Sequence, residues 1–220
     1  MDIFYQGIDN RLANLSFLHN IMKRIIAGVD EVGRGSLIGP VYAAAVILNN
    51  SIDKKKIKDS KKISKTNREN LEKYIKKYSY WAIGSASLME IEKLNILNAS
   101  LLAMKRAIKK LKKKPTLVLV DGNKIPEIKD YKLKSIIKGD QKISEISAAS
   151  IIAKVSRDRL ITNLSKKFKK YSWSKNAGYG TKDHMVAIKK YGITKFHRKT
   201  FKPIHNILSL KKLRQQEDSN

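Results

Sequence analysis

Apolar positions in this chain follow two periods that alternate along its length. Short runs of β-branched, aromatic and small residues at Ile25–Asp30, Val41–Leu48 and Tyr80–Leu88 predict strands. Leu117–Val120, wholly apolar and closed by Asp121-Gly122, predicts a fourth strand, and Leu133–Lys138 a fifth. Between them the spacing becomes helical. Ser64 to Lys77 opens on a residue suited to N-capping and places Leu71, Tyr74, Ile75 and Tyr78 on one face. Glu90 to Lys112 carries Leu97, Leu101, Met104, Ile108 and Leu111 at helical intervals. Ser144 to Phe168 begins with Ser147-Ala148-Ala149-Ser150, small enough to let a helix lie close to a sheet. Strands first, then interleaved and trailing helices, predict an α/β domain with a helical C-terminal portion. The tail after Leu213 reads as frayed.

Length and composition narrow this picture. A chain of 220 residues that is 42% hydrophobic fits one substantial domain with its own core. It contains no cysteine, which excludes disulfides and thiolate metal sites and fits a reducing compartment. The longest apolar run, Val41 to Leu48, has 8 residues, far short of the roughly 20 that a membrane helix needs. Met1 to Asn20 shows no basic-then-apolar leader pattern, so the expected location is the cytoplasm, without membrane contact. The net charge of +28 is the electrostatic footprint of a nucleic-acid binder. The 38 lysines against 9 arginines are also what biased coding gives, so motifs must decide.

Acids are scarce, at 19, and their placement is informative. Asp30 and Glu31 follow the apolar run Ile25-Ile26-Ala27, and Gly33-Arg34-Gly35 follows them at once. Asp121 ends another strand, and Asp140 precedes the small-residue helix. Strand ends on one edge of an α/β sheet are where sites gather. Oxygen-only donors suit Mg²⁺ or Mn²⁺, which borrow further oxygens from substrate phosphate. Two such ions about 3.5–4 Å apart support in-line displacement at phosphorus. Neighbouring strand residues point to opposite faces, so Asp30 and Glu31 share a site only through an irregular backbone or through a carbonyl oxygen.

These residues carry a family resemblance over about residues 25 to 204. The matching segments are Gly28-Val29-Asp30-Glu31-Val32-Gly33-Arg34-Gly35 with Gly39-Pro40, Asp59-Ser60-Lys61-Lys62-Ile63-Ser64, and Leu94 to Met104. Val120-Asp121-Gly122-Asn123, Lys138-Gly139-Asp140 with Ile146 to Val155, Gly178-Tyr179, and His197 to Phe201 complete them. In that order they resemble bacterial ribonuclease HII, the type 2 ribonuclease H. The resemblance implies a ribonuclease H-like fold, a mixed five-stranded sheet flanked by helices with a C-terminal helical extension. It implies hydrolysis of RNA in RNA–DNA hybrids, and nicking of DNA 5′ of embedded ribonucleotides to leave 5′-phosphate and 3′-hydroxyl ends. It implies that Asp30, Glu31, Asp121 and Asp140 bind two Mg²⁺ or Mn²⁺ ions. It further implies that Gly33-Arg34-Gly35 senses the 2′-hydroxyl through its backbone, that Tyr179 stacks on the sugar of the following deoxynucleotide, and that Lys61 lies near substrate phosphates. The physical chemistry agrees, because the 2′-hydroxyl both donates and accepts and glycines let backbone groups approach it.

The family commonly has proline after the junction-reading tyrosine, where this chain has Gly180, which predicts a looser loop. Asp158 matches a non-liganding position and reads as structural. His184, His197 and His205 have no metal-ligand spacing and read as structural or surface residues. The division predicted is an N-terminal extension over 1–24, a catalytic domain over 25–205 and a basic, polar tail over 206–220, acting as a monomer. A type 3 ribonuclease H would carry a sizeable N-terminal domain, a transposase-like nuclease would lack Gly-Arg-Gly, and a non-enzymatic basic binder leaves the four acids unexplained.

Overall fold

The computed structural model describes residues 25–58 and 64–217. Its centre is a mixed five-stranded sheet in the order β3-β2-β1-β4-β5, as the resemblance implied. The strands are β1 (Ile26–Val32), β2 (Val41–Leu48), β3 (Ser79–Ala86), β4 (Leu117–Asp121) and β5 (Leu133–Ile136). β1, β2 and β3 form an antiparallel meander, whereas β4 and β5 join parallel to β1. The helices are α1 (Lys54–Lys58), α2 (Lys65–Lys77), α3 (Leu88–Lys109), α4 (Gly139–Lys142), α5 (Ser144–Lys167), α6 (Trp173–Asn176), α7 (Lys182–Tyr191) and α8 (Lys202–Glu217).

Alternation along the strands divides the core into two layers. Val41, Ala43, Ala45 and Ile47 of β2 pack with Ala99, Ala103, Met104, Ala107 and Ile108 of α3. Ala44 and Val46 face the other way, onto Ala148, Ala149, Ile152 and Ala153 of α5 and Ile75 of α2. Small residues bring these helices close. A Cβ on Gly28 of β1 would overlap the Glu145–Ile146 backbone of α5, and one on Gly84 of β3 would overlap the backbone of α3. A third cluster joins Leu37, Ile38 and Ile161 to Tyr171, Trp173, Ile188 and Ile204, docking the C-terminal helices against the loop that follows β1.

Local chemistry explains the boundaries. The Ser64 hydroxyl accepts from Asn67 N at 3.2 Å, the N-cap expected for α2. Ser87 and Glu90 form a reciprocal capping box that starts α3 earlier than its apolar spacing indicates. The helix expected to run unbroken from Glu90 to Lys112 is interrupted at Asn95, whose φ is +65°. Its Oδ1 accepts from Leu97 N at 3.0 Å and Asn98 N at 3.1 Å, so the side chain caps the second segment. The lysine run at 54–56 lies in α1, whose Ile57 is wholly buried. Buried Glu72 ties α2 to α5 through two 2.9 Å hydrogen bonds from Arg159, and pairs within α2 with Lys76 at 2.5 Å. α8 runs across the boundary expected at 205/206, with Ile207 and Leu208 packed on the third cluster, and its helical turns continue past Leu213 to Glu217.

Because the Gly28 position is closed by backbone rather than by a movable side chain, Gly28→Ala should destabilise the fold by about 2 kcal/mol or more. The urea midpoint measures this, and an unchanged midpoint would contradict the close β1–α5 approach.

Candidate active site

The β1–β4 ladder runs as far as Val29–Val120. Asp30 and Asp121 each follow one residue later, on neighbouring parallel strands. The parity that turns Val29 and Val120 toward α3 turns Asp30 and Asp121 toward α5. There Ser150 of α5 hydrogen-bonds the Asp30 carboxylate, and Asp30 Oδ1 also accepts from Glu31 N at 2.7 Å. Asp30 is only 7% exposed. Burial, followed by the charges of Glu31 and Asp121, pushes its pKa up to about 8, against the pull of the Ser150 and Glu31 hydrogen bonds.

Glu31 lies on the opposite parity, yet the charge of Asp121 reaches it as well. Burial raises its pKa, the Asp121 charge adds to the rise, and Arg34 opposes both. Asp121 Oδ1 accepts from Gly139 N at 2.6 Å and Asp140 N at 3.4 Å, which anchors the start of α4 to the end of β4. The structure therefore brings Asp30, Glu31 and Asp121 together electrostatically. Asp140 is joined to them through its backbone, at the half-buried first turn of α4.

Three mutually repelling carboxylates, one held almost dry, form a donor set suited to a hard divalent cation. Among the described residues no three His, Asp or Glu side chains close into a ready-made cage. Mg²⁺ and Mn²⁺ take few protein carboxylates and complete their shells with water and substrate oxygens.

The Gly-Arg-Gly loop continues directly from β1. Gly33 has a φ of +93°, a region that favours glycine, and a Cβ there would strike the Arg157 guanidinium. Arg34 is exposed, with Nη1 3.2 Å from Glu31 Oε1. Tyr179 is 40% exposed, and a Cβ built on Gly35 would lie 3.5 Å from its ring. Leu37 N donates to Gly178 O at 2.8 Å, so the two loops are hydrogen-bonded to each other. Lys61 lies outside the described residues.

Two buried arginines, which the motif reading assigned no role, organise these loops. Arg157 donates from Nη1 to Ala177 O at 3.2 Å and from Nη2 to Ile38 O at 3.3 Å. Arg198 donates from Nη1 to Arg34 O at 2.8 Å and from Nε to Gly39 O at 2.9 Å. Neither makes an ion pair among the described residues, and burial lowers both pKa values, that of Arg198 to about 9. In a chain where lysine is the default cation, an arginine at such a position signals the forked donor geometry that lysine lacks. Asp158 pairs with Lys154 at 3.2 Å. His184 and His197 are buried and hydrogen-bonded, and His205 is exposed.

A mixed five-stranded sheet in this order with flanking helices defines a ribonuclease H-like fold. Residues 27–204 match the family model described as Ribonuclease HII, and the chain belongs to that family. It is 73% identical over 185 residues to Ribonuclease HII of Pelagibacter ubique, covering 84% of this chain and 100% of that one. It is 50% identical over 194 residues to that of Orientia tsutsugamushi, covering 88% and 94%. Among solved structures, the ribonuclease H2 of Pyrococcus horikoshii aligns with a TM-score of 0.70 at 26% identity, covering 83% of this chain and 96% of that one. Bst-RNase HIII in complex with Mn²⁺ aligns at 0.62 and 15% identity, covering 84% and 70%, a likeness of fold. The chain is thus a ribonuclease H, an endonuclease of a divalent-metal-dependent family that acts on the RNA of RNA–DNA hybrids. No helix among the described residues is long and apolar enough to cross a membrane.

The raised Asp30 pKa has a thermodynamic signature. Between its ordinary value of 3.8 and about 8 the folded chain holds a proton that the unfolded chain has released, so stability falls as pH rises through that interval. With chelator present, Asp30→Asn should raise the melting temperature near pH 9 and change it little near pH 4. A difference independent of pH would contradict the assignment.

Proposed function

We propose that this enzyme nicks DNA on the 5′ side of an embedded ribonucleotide, as well as hydrolysing longer RNA–DNA hybrids, and leaves 5′-phosphate and 3′-hydroxyl ends. One observation carries the reading. The Gly-Arg-Gly loop contacts the carboxylates on one side, through Arg34 and Glu31, and the Tyr179 loop on the other, through Gly35 and Gly178. A group bound at the acids is therefore within one loop's width of both recognition elements.

Asp30, Glu31, Asp121 and Asp140 would hold two Mg²⁺ or Mn²⁺ ions. When bound, these supply water activation and neutralise charge on the departing oxygen. The chain's own residues do the remainder. Asp30 gives up its proton to serve as a ligand, and Ser150 fixes its orientation. The backbone of Gly33-Arg34-Gly35, exposed at Arg34 and Gly35, meets the 2′-hydroxyl, the group that separates ribose from deoxyribose. The Arg34 guanidinium, already at the rim of the acids, is placed for a phosphate oxygen. Tyr179 offers its exposed ring to the deoxyribose that follows the ribonucleotide. Lys61 contributes a phosphate contact, and its removal should lower the slope of binding against salt by about one unit. The chain acts as a monomer in the cytoplasm.

The test is a DNA duplex with one internal ribonucleotide, incubated with Mg²⁺ or Mn²⁺ and, in parallel, with EDTA. A single metal-dependent nick 5′ of the ribonucleotide is expected. Asp30→Asn and Asp121→Asn should each lower turnover about a hundredfold or more. An intact duplex alongside cleaved long hybrid would remove the junction reading, and cleavage in EDTA would remove the metal mechanism.

A further inference from the structure

Tyr179 sits on a short turn whose shape is fixed from beneath. Ala177 and Gly178 both have positive φ, at 48° and 78°. Tyr179 N donates to Asn176 O at 2.9 Å, and Tyr179 O accepts from Thr181 N at 2.8 Å. A second donor reaches the same carbonyl from the protein interior, as His184 Nδ1 lies 2.9 Å from Tyr179 O.

His184 is wholly buried, in the first turn of α7. Its other ring nitrogen, Nε2, lies 2.9 Å from Trp173 Nε1. An indole N–H can only donate, so Nε2 must accept and the imidazole proton must sit on Nδ1. That is the tautomer that donates to the Tyr179 carbonyl. Burial favours the neutral ring that this pattern requires. Trp173 is itself immobile, being wholly buried and stacked on Tyr171 with ring centroids 5.1 Å apart. A histidine present for bulk alone needs no such orientation, whereas this one spends both nitrogens on directed bonds and one ends on the backbone of the proposed junction reader.

We propose that His184, locked in one tautomer by Trp173, is a positioning residue that sets the Tyr179 turn against the Gly-Arg-Gly loop and so sets selectivity for the RNA-to-DNA junction. The inference rests on the junction-reading role proposed for Tyr179. His184 touches neither the acids nor substrate; it acts through the Tyr179 carbonyl alone. Loss of the bond frees the turn to shift, and a displacement of about 1 Å in a substrate-positioning group is costly for catalysis.

The experiment compares kcat/KM on a DNA duplex carrying one ribonucleotide with kcat/KM on a long RNA–DNA hybrid, for wild type, His184→Phe, His184→Asn and Trp173→Phe. The ratio should fall about tenfold in His184→Phe. It should recover in His184→Asn, whose amide can present a donor near the Nδ1 position. Trp173→Phe keeps the histidine but frees its tautomer, and should lower the ratio by a smaller factor; it carries the comparison by itself where His184→Phe does not fold. A ratio that stays at the wild-type value in His184→Phe or Trp173→Phe would overturn the role. Wild type that leaves the single-ribonucleotide duplex intact would instead overturn the junction-reading function, and this inference with it.

Discussion

Parallel pairing of β1 with β4 is the constraint on which the site depends. It stops at Val29–Val120, and one step further along each strand stands an aspartate. Two strands at sheet spacing leave these carboxylates no means of separating, and the α5 side offers Asp30 little water. The fold thereby keeps a charge cluster that is unfavourable for the protein alone and favourable only once a cation or a proton compensates it. The Asp30 pKa near 8 is the thermodynamic form of that tension. A core tolerates such a cluster when the elements around it are overdetermined, and here two helices close-packed on glycine strands supply the rigidity.

A parallel solution of opposite sign lies beneath the Gly-Arg-Gly and Tyr179 loops. Arg157 and Arg198 bury two guanidinium groups that bind carbonyls instead of acids. Each spans two points of the chain, so a loop rich in glycine, flexible by itself, is held from beneath without side-chain bulk on its outer surface. Acids stand on one side of the site and buried cations behind the other, the polarity that the proposed phosphodiester substrate calls for. The same separation keeps the buried cations from neutralising the carboxylates, a role left to exposed Arg34.

Much of this was legible before the fold was known. β2 matched its expected span to the residue because its apolar run is continuous and both faces are covered. The break at Asn95 was invisible because the apolar spacing continues through it and only the side-chain cap reveals it. β1 extends two residues beyond its expected end at Asp30, carrying Glu31 and Val32 into the strand, since ladder bonds to β2 continue to Val32 whatever the polarity of the side chains. The site was legible as a set of motifs and illegible as a geometry. Asp30 and Asp121 are distant in sequence, and a pattern of strand ends names them without saying which strands adjoin. The roles of Ser150, Arg157 and His184 escaped because each rests on hydrogen bonds that only the folded backbone brings within reach, to Asp30, to Ala177 and Ile38, and to Trp173 and Tyr179. Gly180 shows how a departure can be read in both ways: it looked like added freedom, and the turn it belongs to is braced by Leu37, Thr181 and His184.

The central claim is that the strand-end carboxylates form a site for divalent cations, and calorimetric titration of Mn²⁺ into the substrate-free protein addresses it most directly. Wild type should bind Mn²⁺, and Asp30→Asn and Asp121→Asn should each weaken binding about tenfold or more while melting cooperatively. Equal Mn²⁺ affinity in wild type and both variants would contradict the account, because the ion would then sit elsewhere and the paired aspartates would serve the fold alone.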